Sequence, residues 1–142
     1  MPTFVDVNVP MYAAGADHPL KAPCVAVLEA VAEHPDRFFT DSECFQELIH
    51  RYRSQRRWQS GRRVFDAFEV LMSGRVAAVG VGDVSLAAQM TADYPTVDTR
   101  DLVHAAVMRR LGSVTILSSD AGYDAIDGLA RLSPDQPGVI DY

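Results

Sequence analysis

The chain has 142 residues, 48% of them hydrophobic, with a formal net charge of −6 and a pI near 5.0. That length holds one compact domain, residues 1–142, and the acidic balance excludes binding of nucleic acid by overall charge, so any such binding needs a local basic patch. Cys24 and Cys44 have neither the number nor the spacing of a disulfide framework or a zinc site. No apolar run approaches membrane-spanning length and no basic-then-apolar leader opens the chain, so a cytoplasmic protein with no membrane partner is expected.

Thr3 to Asn8 reads as an apolar strand with a carboxylate set into it. Period-2 geometry puts Phe4, Asp6 and Asn8 on one face and Val5, Val7 and Val9 on the other. An aspartate there is costly to bury unless it is paired, hydrogen-bonded or metal-bound, so Asp6 needs a chemical reason. A short helix follows from Val9 to Ala14, with Pro10 placed to start it, and a second runs over about Leu20 to His34 on the spacing of Val25, Leu28, Val31 and Ala32. Arg37 to Phe39 reads as a strand. Thr40 and Glu43 form a capping box that opens a helix turning Phe45, Leu48, Ile49 and Tyr52 inward, which explains Glu43 but not Glu47.

Between Arg51 and Arg63 the chain changes character. Arg51, Arg53, Arg56, Arg57, Arg62 and Arg63 gather around Tyr52 and Trp58 in an otherwise acidic protein. A further helix is expected from near Gly61 to Ser73, then a strand at Val76 to Val79 and a helix capped by Asp83 that stops before Pro95. Another helix covers about Thr99 to Leu111 and ends at Gly112. Val114 to Leu117 is a clear strand leading into Ser118-Ser119-Asp120. A short helix near Gly122 to Ile126 and a strand at Ala130 to Leu132 close the pattern.

Strands separated by helices imply a parallel sheet covered on both faces, whose ligands sit outside the carboxyl ends of the strands. Asp6 and Asp120 both fall there. With Glu47 and Asp101 they make a possible acidic set, and oxygen-only ligands suit hard cations such as Mg²⁺ or Mn²⁺. Each member also has a plain structural reading: Asp101 complementing a helix dipole, Asp120 capping the helix after it, Glu47 as a solvated helix residue. His104, three residues after Asp101, is expected to be a packed helix residue and not a catalyst. Ser118 and Ser119 lack a nucleophile elbow and read as caps.

Four pieces of sequence in this order, Phe4-Val5-Asp6-Val7-Asn8, Glu47 within Cys44 to Leu48, Thr99 to Ala106, and Leu117 to Asp120 followed by Tyr123-Asp124, resemble a PIN-domain protein. More narrowly the chain resembles the VapC toxins of bacterial toxin–antitoxin pairs. The resemblance implies a three-layer α/β/α fold around a parallel sheet of about four to five strands, with Asp6, Glu47, Asp101 and Asp120 as catalytic and metal-binding residues. Asp124, four residues past Asp120, is a further candidate ligand, with an exposed helix position as its alternative, and Asn8 is expected to help hold Asp6. Tyr123 stands where the family commonly has Phe.

The activity implied is Mg²⁺- or Mn²⁺-dependent hydrolysis of RNA, leaving 5′-phosphate and 3′-hydroxyl ends. The implied partners are RNA, a VapB-like antitoxin and a second copy of the chain. Two alternatives differ in class. A PIN-like module that has lost catalysis would show gaps in the acidic set, and none is seen. A phosphohydrolase of the haloacid dehalogenase type would have a second Asp at the place of Asn8 and a Lys in its later motifs, whereas Lys21 is the only lysine. The arginine stretch with Trp58 is expected to meet either the RNA backbone or the antitoxin, with a solvated helix face and loop as its plain alternative.

Overall fold

Five parallel strands form the centre of the fold: β1 (Thr3–Val5), β2 (Phe38–Asp41), β3 (Val76–Ala77), β4 (Thr115–Leu117) and β5 (Ala130–Leu132), in the spatial order β3-β2-β1-β4-β5. We describe residues 1–136 and 138–141 of a computed structural model. Among the described residues six α-helices connect and cover the sheet: α1 (Asn8–Ala14), α2 (Lys21–Glu33), α3 (Ser42–Ser54), α4 (Trp58–Leu71), α5 (Val81–Met90) and α6 (Thr99–Leu111). The register pairs Phe4 with Phe39 on one side and with Ile116 on the other. Every residue of β1 and β2 is buried, as expected for parallel strands covered on both faces. β1 is therefore the middle of the sheet, and β4 beside it reverses the direction in which the strand order grows, which makes their carboxyl ends the natural place for a site.

Several boundaries differ from the sequence reading, each for a local reason. β1 stops at Val5 because Val7 already has helical backbone angles and Asn8 begins α1. The alternation Phe4, Asp6, Asn8 thus breaks after Asp6, whose N–H still donates to the Leu117 carbonyl at 3.0 Å. Pro10 lies in the first turn of α1 without starting it, where its missing N–H costs nothing. β2 runs one strand residue further than Thr40, so the cap of α3 is Asp41: its Oδ1 accepts from the Cys44 N–H at 3.0 Å, while the Thr40 hydroxyl donates to the Val5 carbonyl at 2.9 Å.

α4 begins at Trp58, before the expected start near Gly61. Gly61 lies inside this helix and is buried, and a Cβ there would sit 2.4 Å from Tyr52 Cβ, so glycine is what lets α3 and α4 pack this closely. β3 is shorter than expected. Gly80, not Asp83, is the N-cap of α5, and Asp83 reaches back from inside the helix to accept from the Gly80 N–H at 2.9 Å. Gly112 ends α6 in the left-handed conformation, at φ 72°. After β4 the chain forms a 3₁₀ turn at Ala121–Ala125 rather than an α-helix.

Candidate active site

Asp6 follows β1, Glu47 lies in α3, Asp101 in the first turn of α6, and Asp120 just after β4. Asp6, Glu47 and Asp101 are buried and Asp120 is exposed. Asp6 is held by three donors. The Val7 N–H reaches its Oδ1 at 2.8 Å, the Ser118 hydroxyl its Oδ2 at 2.6 Å and the Asn8 amide the same oxygen at 3.2 Å. Ser118 in turn accepts from the Asp120 N–H and from Asn8, both at 3.0 Å, and the Asn8 carbonyl oxygen accepts from the Ser119 N–H at 3.2 Å. One buried hydroxyl therefore ties the end of β1 to the end of β4, a role beyond the capping read from sequence.

Asp120 lies close enough to Asp101 to raise its carboxyl pKa. Asp120 Oδ1 also accepts from the Gly122 N–H at 2.8 Å. The wholly buried Tyr123 donates its phenol O–H to Asp101 Oδ1 at 2.9 Å, so the hydroxyl that distinguishes it from phenylalanine has a defined partner. Burial, then the Asp6 charge and Asp120, push the Asp101 carboxyl up to about 8, with the Tyr123 hydrogen bond acting in the opposite direction. Asp6 is likewise raised by burial, partly offset by His104 and by its donors. Burial would raise Glu47 too, but His104, Arg51 and Arg100 outweigh it and hold that carboxyl low.

Beneath these carboxylates lies a buried pair. His104 Nδ1 is 2.7 Å from Asp41 Oδ2, and its Nε2 is 3.9 Å from Glu47 and 4.0 Å from Asp6. Burial opposes a charge on this imidazole, yet Cys44 and Asp41 outweigh it and raise its pKa well above the ordinary value. His104 is thus packed, as expected, but it also supplies a counter-charge to the acidic set. Ligand atoms of Asp6, Cys44 and His104 lie within 4.8 Å of one another. Burial pushes the Cys44 thiol up to about 12 and His104 is engaged by Asp41, so of the three only Asp6 offers a donor suited to a hard cation.

Asp124 is exposed and forms a two-bond pair with Arg131, at 2.9 and 3.0 Å. A return to the same face after four residues needs an α-helix, and the 3₁₀ turn found here repeats after three. The arginine stretch divides. Arg51 pairs with Glu47 at 3.0 Å, and Arg100, outside the stretch, lies 3.8 Å from the same oxygen. Arg62 pairs with Asp66 along α4, while Arg53, Arg56, Arg57 and Arg63 are exposed. Tyr52 is buried under Gly61 and unavailable for stacking, and Trp58 is half-buried against Phe65.

Sequence reasoning missed Asp41, Ser118 and His104 as parts of this site. Asp41 and Ser118 stand just at strand ends, as Asp6 does, which was the available signal.

Residues 3–129 match the PIN domain family. Ribonuclease VapC13 of Mycobacterium tuberculosis is 35% identical over 130 residues, 92% of this chain and 98% of its own. Ribonuclease VapC23 of the same species is 36% identical over 117 residues, 82% of this chain and 91% of its own. Two solved structures share the fold: VapBC2 from Rickettsia felis, bound to a DNA fragment from its promoter, at a TM-score of 0.69 and 15% identity over 93% of this chain and 98% of that one, and FitAcB from Neisseria gonorrhoeae, at 0.71 and 18% over 93% and 97%. With a matching family over nearly its full length and relatives above one-third identity, the chain belongs to the PIN-domain family and, within it, to the VapC ribonucleases.

Proposed function

We propose that the chain is a metal-dependent endoribonuclease, the toxin of a bacterial type II toxin–antitoxin pair acting in the cytoplasm, with Asp6, Glu47, Asp101 and Asp120 holding Mg²⁺ or Mn²⁺. One observation carries this reading: carboxylates from four separate segments gather around the carboxyl ends of β1 and β4, where burial, then the Asp6 charge and Asp120, push Asp101 up to about 8. A set of oxygen donors whose negative charge is only partly offset by His104, Arg51 and Arg100 fits a hard divalent cation. When bound, such an ion supplies an acidified water and neutralises charge on the phosphate. The chain's own residues fix the donors. Ser118, Asn8 and the Val7 N–H orient Asp6, Tyr123 orients Asp101, and His104 opposes the summed charge from below.

RNA is the substrate proposed, from membership among the VapC ribonucleases, and a VapB-like antitoxin the partner. A homodimer agrees with Val81 and Val84 of α5, three residues apart and 86% and 52% exposed. A module without catalysis is the weaker reading, since all four acidic positions are filled. Among the described residues no helix is long and apolar enough to cross a membrane.

The test is to incubate antitoxin-free protein with total cellular RNA, with and without Mg²⁺ or Mn²⁺, and to map the ends. Metal-dependent cuts with 5′-phosphate and 3′-hydroxyl termini are expected. Intact RNA in every metal condition would refute the reading.

A further inference from the structure

Next to the acidic site lies a cleft of about 400 Å³ lined by Asn8, Met11, Tyr12, Arg51, Ser119 and Asp120. Its walls differ in chemistry. Asp120 and Asn8 belong to the site, Arg51 supplies a positive charge, and Tyr12 supplies an aromatic ring that is half-buried. The His18 imidazole lies against Tyr12, with ring centroids 4.6 Å apart and planes tilted by 31°. His18 is itself pinned, because its Nδ1 accepts from the Leu20 N–H at 3.0 Å. An aromatic pair is thus fixed in place before any ligand arrives.

Arg51 differs from the arginines that grip a carboxylate as forks. Arg110 and Arg131 each spend two nitrogens on one carboxylate, as forks to Asp83 and Asp124. Arg51 meets Glu47 through Nε at 3.0 Å, and its side chain remains 46% exposed at the edge of the cleft. Glu47 anchors the stem side of the guanidinium and leaves its terminal N–H groups available for a second anion, the geometry in which arginine recognises phosphate. Pairing with a buried carboxylate also fixes the guanidinium's position, so less freedom is lost when that anion binds.

We propose that this cleft is a nucleotide subsite beside the scissile position, in which Arg51 contacts a backbone phosphate and Tyr12, braced from behind by His18, stacks an unpaired base. This rests on the ribonuclease reading and adds residues to it: an unpaired base presents the free face that an aromatic platform needs, and a base within a duplex does not. It also assigns the work of the arginine stretch to one member. The exposed Arg53, Arg56, Arg57 and Arg63 add general attraction, and Arg51 alone of the stretch lines the cleft.

The test measures binding of a short, fluorescently labelled, mixed-sequence single-stranded RNA by anisotropy in EDTA, so that hydrolysis does not intervene, over about 50 to 200 mM salt. Arg51→Ala is expected to weaken binding several-fold and to lower the log–log salt slope by about 0.7, one phosphate contact on a single strand. Tyr12→Ala is expected to weaken it on the order of tenfold with the slope unchanged, and Tyr12→Phe to bind as the parent does. His18→Ala, at an exposed position, gives a smaller loss of the same kind and serves if Tyr12→Ala does not fold. The parent should prefer the single strand to the corresponding duplex.

Unchanged affinity and slope in folded Arg51→Ala and His18→Ala proteins would overturn the subsite, as would equal binding of the duplex. Absence of RNA binding by the parent would overturn it too, while the ribonuclease reading would still be judged separately by the cleavage assay.

Discussion

His104 Nδ1 lies 2.7 Å from Asp41 Oδ2, with both side chains wholly buried. Asp41 caps α3, the helix that carries Glu47, and His104 stands one turn after Asp101 in α6. The pair therefore joins the two helices that deliver two of the four carboxylates. His104→Ala would leave the Asp41 carboxylate buried with only the Cys44 N–H, at a cost on the order of 3 kcal/mol. Asp41→Asn should cost less, because it leaves no unpaired buried anion. Urea denaturation of both single variants and the double variant would measure the coupling, and additive single effects would contradict it.

The raised carboxyls set the sign of the stability profile in metal-free protein. Asp101, at about 8 when folded, holds a proton that the unfolded chain releases near pH 4, so the folded state binds more protons across that interval and its stability falls as pH rises through it. Asp6 and His104, both raised, act in the same direction, while Glu47, held low, loses its contribution only under acid conditions. In EDTA, unfolding should show a loss on the order of 4 kcal/mol between pH 5 and pH 8. Asp101→Asn should flatten most of that fall. A stability that rises over the same range would contradict the crowding of these carboxylates.

Tyr123→Phe tests the hydroxyl that this chain has where its relatives are expected to have phenylalanine. It removes the donor to Asp101 Oδ1 without changing the ring that fills the core. The Asp101 pKa should climb further, and affinity for Mn²⁺ at neutral pH should drop on the order of tenfold. Unchanged affinity in isothermal titration would mean that the hydroxyl does nothing for the site.

Much of the fold could be read in the sequence because its elements follow simple periods. The apolar spacing in α2 and α6, the short apolar strands β1 and β4, and the breaks at Pro35, Gly74 and Gly112 follow from local chemistry. Boundaries failed where tertiary contacts decided them. Asp41 took the cap of α3 because β2 continues to it, and α4 could start before Gly61 because a buried glycine inside a helix is a packing requirement that only the Tyr52 contact shows. Asp6 was legible as a carboxylate in an apolar strand lacking a sequence-local partner, whereas Glu47, Asp101 and Asp120 each had a plain structural reading and joined it through the family resemblance. Their supports were not, since the Ser118 hydroxyl meets Asp6 across 112 positions and His104 meets Asp41 across 63.

Gly61→Ala should therefore be costly despite the good helix propensity of alanine. Its Cβ would meet three Tyr52 atoms between 2.4 and 2.9 Å, so α3 and α4 must separate, at a cost on the order of 2 kcal/mol. Thermal unfolding would show it. A stabilised Gly61→Ala protein would mean that the two helices are not held this closely.

The most direct measurement of the central claim compares the parent with Asp6→Asn, in metal binding by calorimetry in buffers of different ionisation enthalpy and in cleavage of the same RNA. Asparagine keeps the size of the side chain and can still accept from Ser118, so the variant should fold, and losing one charge from a crowded set should leave it at least as stable in EDTA. The parent should bind Mn²⁺ with release of protons, cut RNA only when the ion is present, and bind it more weakly on acidification. The variant should do neither. A folded Asp6→Asn protein that still binds the ion and cuts RNA at the parent's rate would show that the chemistry lies elsewhere.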